Sequence, residues 1–485
     1  MDRNDWRPRN CVWELTLACN LRCVHCGSRA GLARERELTT AECLDVVSQL
    51  AELGCELVTL SGGEPTLRRD WDTVARAVAS RGLFVNMVTH GAYPRPGQAD
   101  DVARRALDAG LCNVGVSVDG PQPVHDSIRG EGTFARTLHS IDRFRAAGLP
   151  VTVMTTVGRR NLAHLESVRR IAIDAGAGTW RLQLAKPMGS ARDEVGFVLQ
   201  PRHLLELLPL LAELKRRGEI ALRVGDSIGY YGPHDRELRG RGWRGRDECW
   251  QGCQAGMQAI GIEASGDVKG CLSLQAKWGH RDPFVEGNLR ERRLTDLWYG
   301  SGAFAYNRDV TADSLTGHCR SCRHAVLCRG GARCVSAAFS GLLTESDYCY
   351  YHVAREQLVP RWRSAGQGAL AAAAMAMAAA CGGDSSSPAT DAAVMDGVTT
   401  DLGSRDAGPA DVGTDAPPSA DTGPTPDAGT DAGTDAGIDC SAVCCECEYG
   451  IIPPEVFEQC CAPDPCAGVC CECDYGEPPP PQCCP

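Results

Sequence analysis

Two periods alternate along the first 220 residues. Short apolar runs at 12–17, 56–60, 83–89, 113–118, 151–157 and 179–185 have the length of strands covered on both faces. Between them, 39–53, 70–81, 99–109, 134–147 and 162–175 place apolar residues at helical spacing, and 202–217 follows in the same way. Six successive strand–helix units need crossover connections, so the strands should be parallel. An α/β fold is therefore predicted. A partial (β/α)6 barrel and a doubly wound sheet both fit the pattern. From 220 to 360 the rhythm breaks into short elements rich in Gly and Cys.

Composition changes this picture in two places. Of 485 residues, 28 are Cys, far above ordinary usage, and the net charge of -12 is unevenly spread. Residues 382–485 carry 20 Asp and Glu against one Arg405, so an acidic tail follows a mildly basic body. Neither part supports nucleic-acid binding. No apolar run is long enough to span a bilayer, and residues 1–10 are polar and charged, unlike a secretory signal. Residues 1–360 are expected to be cytoplasmic. Many thiols in such a compartment argue for metal ligands over disulfides.

Cys19, Cys23 and Cys26 follow the first predicted strand directly, at the spacing Cys-x3-Cys-x2-Cys. Three thiolates so placed can each take one corner of a [4Fe–4S] cube and leave one iron open. A zinc knuckle or buried free thiols are the alternatives; zinc sites close with four ligands, and His25 is the nearest candidate. Ser61-Gly62-Gly63-Glu64-Pro65 ends the second strand. Ser117-Val118-Asp119-Gly120 ends the fourth, and His125 and Arg129 follow. All three motifs fall at carboxyl ends of strands, where α/β sheets bind ligands.

This combination resembles the radical S-adenosylmethionine superfamily. The resemblance implies that Cys19, Cys23 and Cys26 hold the catalytic cluster. Its open iron would chelate S-adenosylmethionine, whose reductive cleavage gives a 5′-deoxyadenosyl radical. It also implies that His25 lies against the adenine and that Gly62, Gly63 and Glu64 hold the methionyl ammonium. Ser117 and Asp119 would reach the ribose. Thr155 and Leu184 are further candidates for the pocket wall, and His125 with Arg129 can equally be a surface loop pair.

A second cysteine series runs Cys249, Cys253, Cys271, Cys319, Cys322, Cys328, Cys334 and Cys349. Eight thiols suffice for two further [4Fe–4S] cubes or for two structural zinc sites. The pattern, with Glu286-Gly287-Asn288-Leu289, resembles the SPASM extension of peptide- and protein-modifying members. By that resemblance Cys249, Cys253, Cys271 and Cys334 hold one auxiliary cluster, and Cys319, Cys322, Cys328 and Cys349 the other. Five residues separate Cys328 from Cys334 where three are usual, which leaves a ligand shift open. Leu272 stands where sulfatase-maturing relatives carry an acid, so that activity is disfavoured. Asp119, Asp226 and Asp267 remain as candidate acids for proton transfer, each expected to be structural or solvent-facing. Cys11, Cys43, Cys55 and Cys112 read as buried packing thiols.

The expected organisation is a core at 8–220 and a SPASM domain at 221–360. A segment at 361–381 resembles a lipoprotein signal ending at Cys381. A low-complexity linker at 382–439, expected to be disordered, leads to a Cys-rich tail at 440–485. That tail holds 12 cysteines in a repeat: Cys440-Ser-Ala-Val-Cys-Cys-Glu-Cys-Glu-Tyr-Gly450 matches Cys466-Ala-Gly-Val-Cys-Cys-Glu-Cys-Asp-Tyr-Gly476. A substrate fused behind its maturase, two joined reading frames and an Ala-rich helix packed on the body all fit 361–485. The expected function is radical modification of a peptide or protein, with a Cys-rich peptide such as this tail as a candidate. A reducing donor of flavodoxin or ferredoxin type would supply electrons. The alternative is a non-catalytic iron–sulfur or zinc scaffold with a metal-binding tail.

Overall fold

The computed structural model describes residues 6–356 except 195, 226, 241–249 and 276–281. Cys249, Asp226 and everything expected of 361–485 lie outside the described residues. The strands β1 (Asn10–Thr16), β2 (Leu57–Gly62), β3 (Phe84–Thr89), β4 (Asn113–Ser117), β5 (Val151–Val157) and β6 (Thr179–Leu184) pair in parallel, in chain order. A seventh, β7 (Ala221–Val224), continues beyond residue 220. A doubly wound sheet would reverse its strand order at a switch point. This one does not, so its winding is that of an open barrel.

The helices α1 (Thr40–Glu52), α2 (Trp71–Ser80), α3 (Gln98–Asp108), α5 (Thr133–Ala146), α6 (Leu165–Asp174) and α7 (Leu204–Arg216) connect the strands, with a short α4 (Gln122–Arg129) before α5. Local chemistry starts them. Thr39 accepts the amide of Glu42, and the Glu42 carboxylate accepts the amide of Thr39, closing a capping box ahead of α1. α4 lies in a stretch that reads as loop because of its prolines. Pro121 is the N-cap and Pro123 sits in the first turn, where a missing N–H costs nothing.

The expectation that the strands are apolar on both faces is corrected. Outward residues such as Val58, Leu60, Val85, Val116, Val153 and Leu182 are buried beneath the helices. Inward residues include the polar Thr59, Ser61, Asn86, Ser117, Thr156, Arg181 and Gln183, which line a cavity of about 1000 Å³ together with apolar Leu57, Phe84 and Met154. The barrel thus has one dry face and one wet lumen, a period-2 pattern set by the pleat. Trp13, Trp71 and Trp180 are fully buried in the dry layer. Truncating such a residue costs roughly 3–5 kcal/mol.

The Cys-rich region is not a separate sheet. β8 (Ala259–Ile262) pairs in parallel with the free edge of β1, Asn10 opposite Ala259 and Trp13 opposite Ile262. β9 (Asp267–Lys269) and β10 (Gly287–Asn288) then continue the sheet in antiparallel fashion. Arg290 adds a bidentate pair to Glu42 on α1, at 2.6 and 3.0 Å. Among the described residues no helix is long and apolar enough to cross a membrane.

Candidate active site

The loop leaving β1 brings Cys19, Cys23 and Cys26 to the rim of the cavity. The amides of Leu21 and Ala30 donate to the sulfurs of Cys19 and Cys26, at 3.4 and 3.3 Å. Burial pushes the Cys19 thiol up to about 11 despite the Leu21 amide, and the charges of Glu64, Cys23 and Cys26 add to the rise. Burial also raises the Cys23 thiol, and thiols that resist ionisation suit a cationic iron–sulfur group, whose binding drives the protons off. His25 Nε2 is bonded to Asp119 Oδ2 at 2.7 Å, which fixes the ring across the site. Three sulfurs at this spacing fit a cube with one open iron.

His25, Gly62, Gly63 and Ser117 line the same cavity. The two glycines are required by packing. A Cβ on Gly62 would lie 2.2 Å from Thr16 O, and one on Gly63 would lie 2.4 Å from Ala18 O. The strand end and the cysteine loop are thereby pressed backbone to backbone. Glu64 and Asp119 are buried behind the residues that line the cavity. The fully buried Glu64 carboxylate accepts the hydroxyls of Thr66 and Thr89 and the amide of His90. His90 Nδ1 accepts the amide of Ala92, so its proton sits on Nε2, which donates to Asn20 Oδ1 at 2.9 Å in the cysteine loop.

Asp119 is the hub of the opposite wall. Oδ2 accepts His25 Nε2 and, at 2.6 Å, Arg129 Nε, and Oδ1 accepts the amide of Thr156. Burial alone would favour the neutral acid. Arg129 first, then His25, override it and hold the carboxyl well below its usual range. His125 and Arg129 are thus not a surface pair, since both are buried. Arg129 Nη1 also reaches to 4.0 Å from Cys23 Sγ and places a fixed positive charge beside that sulfur. Thr155 points out of the lumen, accepting Trp180 Nε1 at 2.8 Å, and its neighbour Thr156 takes the inward place. Leu184 does line the cavity.

A loop that the sequence did not single out clasps this site. After β6, Ser190 donates its amide to Cys26 O at 2.9 Å, and Arg29 donates to Gly189 O. Lys186 and Met188 of the same loop face the cavity. Their only sequence signal is position: they follow a strand end.

β9 delivers Cys271 to the cavity, where Cys334, from the short helix Arg333–Phe339, joins it. Burial and then Cys334 raise both Cys253 and Cys271, the latter to about 12. These three thiols are therefore close neighbours. A second set stands apart. Burial pushes Cys328 and Cys349 up to about 12, and each also feels Cys319 and Cys322. Leu272 faces the cavity beside Cys271. Cys11, Cys43 and Cys55 are buried as expected, but Cys112 is exposed, at the mouth of the lumen.

An open parallel barrel with a tricysteine loop at its rim defines an iron–sulfur radical enzyme. The family model described as Radical SAM superfamily matches residues 13–171, and that of SPASM, an iron-sulfur cluster-binding domain, matches 253–323. The AdoMet-dependent heme synthase of Methanosarcina barkeri is 30% identical over 353 residues, covering 71% of this chain and 97% of that protein. Mycofactocin maturase MftC of Mycobacterium tuberculosis is 33% identical over 332 residues, 68% of this chain and 78% of that one. The crystal structure of Streptococcus suis SuiB bound to precursor peptide SuiA superposes with a TM-score of 0.55 at 15% identity, covering 72% of this chain and 77% of that one. The chain belongs to the radical S-adenosylmethionine superfamily and carries a SPASM domain. It is an enzyme that uses S-adenosylmethionine and [4Fe–4S] clusters. The scaffold alternative is not favoured.

Proposed function

We propose that the chain modifies a peptide or protein by radical chemistry started at the tricysteine loop. The observation that carries this is the shared cavity: Cys271 and Cys334 open onto the same volume as Cys19, Cys23 and Cys26. The kinship with MftC, named a maturase, supports a peptide substrate. In this reading Cys19, Cys23 and Cys26 hold the catalytic cluster. Cys253, Cys271, Cys334 and Cys249 hold one auxiliary cluster, and Cys319, Cys322, Cys328 and Cys349 the other. The catalytic cluster, when bound and reduced by a flavodoxin- or ferredoxin-type donor, supplies the electron that cleaves S-adenosylmethionine to methionine and a 5′-deoxyadenosyl radical.

The protein's part is placement. Gly62 and Gly63 let the ligand approach backbone, Ser117 offers a hydroxyl, and His25 is held in orientation by Asp119. Residues 8–220 form the catalytic core in this reading, and 221–360 the auxiliary part, in the cytoplasm.

The test is anaerobic turnover with S-adenosylmethionine and dithionite. Release of 5′-deoxyadenosine together with a mass change in a peptide supports the proposal. Nucleoside release coupled only to a small molecule, as the similarity to a heme synthase would suggest, overturns the peptide assignment.

A further inference from the structure

The lumen is not electrically neutral. Its acids are already paired: Glu14 with Arg34 at 2.6 Å, Glu263 with Lys269 at 2.5 Å, and Glu219 with Arg169 at 2.5 Å. Two of its cations are not. Among the described residues, neither the Arg181 guanidinium on β6 nor the Lys186 amine just beyond it meets a hydrogen-bond or ion-pair partner. Arg181 also stands directly opposite Arg223 in the β6–β7 register, and both line the cavity. Arg181 and Lys186 line the same cavity as the auxiliary thiols Cys271 and Cys334.

We infer that this cationic strip on β6 is the docking site for an acidic, Cys-rich peptide, and that the occupant is the repeat at 440–450 and 466–476 of the chain's own tail. The inference rests on the peptide-modifying reading above and names its substrate. Charge is the first argument. The tail is the strongly acidic part of the molecule, and each repeat alternates acid with thiol: Cys445-Glu446-Cys447-Glu448 and Cys471-Glu472-Cys473-Asp474. Geometry is the second. In an extended peptide, residues two apart share a face, about 7 Å from each other. Glu472 and Asp474 would then face β6 together, and Cys471 and Cys473 would face away from it. Strand order sets β6 and β1 far apart in the barrel, with the tricysteine loop following β1. Acids held on β6 therefore turn the thiol-bearing residues toward the catalytic side. Chain length does not prevent this, because residues 357–439 have an extended reach well beyond the size of a domain this large.

The chain has four lysines, Lys186, Lys215, Lys269 and Lys277, so acetylation by an N-hydroxysuccinimide ester can be read site by site by peptide mass spectrometry. The full chain is compared with a full chain carrying Glu446→Gln, Glu448→Gln, Glu472→Gln and Asp474→Asn, without S-adenosylmethionine. The native tail should slow acetylation of Lys186 about tenfold and leave Lys215 unchanged. A synthetic 466–476 peptide should restore protection to the neutral-tail chain, and the same peptide carrying Glu472→Gln and Asp474→Asn should not. Arg181→Gln should weaken protection by the peptide about tenfold. Equal rates at Lys186 in the two chains overturn the inference. So does protection by citrate or by S-adenosylmethionine with none by the peptide, which would mark a small carboxylate as the occupant. Tail mass after turnover separates the two readings. Shielding of Lys186 without a mass change in the tail overturns the tail as substrate and leaves the peptide-modifying reading to its own turnover test, whereas a mass change in the tail without shielding supports that reading and overturns the docking strip on β6.

Discussion

His25 Nε2 donates to Asp119 Oδ2 across 2.7 Å, joining the cysteine loop after β1 to the end of β4. Arg129 shares the same oxygen. Asp119 is fully buried, so removing its carboxylate leaves an uncompensated guanidinium behind the site. Asp119→Ala should lower stability by roughly 3–5 kcal/mol. His25→Ala, which leaves the Arg129 pair intact, should cost clearly less. Denaturant titration of the two variants decides this, and equal losses would show that Asp119 is not the hub.

The second relationship is a contact between backbones. A methyl on Gly63 would meet Ala18 O at 2.4 Å and Leu17 O at 2.5 Å, and neither is the end of a flexible side chain. Gly63→Ala should therefore displace the cysteine loop. The expected result is a folded protein that loses about four irons of roughly twelve (three cubes) and its nucleoside production. Full iron and full activity would refute the close approach.

Two separate thiol sets make a prediction about metal content. Cys334→Ala and Cys322→Ala should each lose about four irons, and the double variant should lose the sum. Release of 5′-deoxyadenosine, which starts at Cys19, Cys23 and Cys26, should persist in both. Loss of only one cluster in the double variant would mean that the grouping is wrong.

The Glu42–Arg290 pair ties α1 to the auxiliary region and predicts a pH dependence. Arg290 first, then the amide of Thr39, lower the Glu42 carboxyl to about 2. An unfolded Glu titrates near about 4.3. Because the folded value is the lower one, the pair's contribution is complete above the unfolded value and is lost as pH falls toward 2. The side chain is about one-third exposed, so solvent screening holds this contribution to about 1 kcal/mol or less. Glu42→Gln should lower stability at pH 7 by that amount and flatten its fall between about pH 4.5 and 2. An unchanged acid slope would contradict the assignment.

The six strands and six long helices were legible because their apolar faces keep a strict period over several turns or residues. β7 and β8 were not: four residues such as Ala221–Val224 carry too little pattern to stand out from loop. The wet lumen was missed for a related reason. In Thr179–Leu184 the polar Arg181 and Gln183 alternate with apolar neighbours, and inside a short run they read as interruptions rather than as a face. The Thr155–Thr156 exchange shows the cost of one residue of register, since a single step turns a side chain to the other face. Cysteine spacing revealed the metal ligands, because cluster chemistry needs that residue type. The burial of Glu64 and Asp119 behind the cavity lining was not legible, since it depends on Thr89, His90, His25 and Arg129 arriving from distant parts of the chain.

Everything proposed for this protein depends on electron delivery at three sulfurs beside the β1 strand. The direct measurement is 5′-deoxyadenosine formed per chain, under dithionite and without oxygen, in the native protein and in Cys23→Ala. The native protein should release the nucleoside, and the variant should release none while keeping its auxiliary iron. Undiminished nucleoside release from Cys23→Ala would contradict the account.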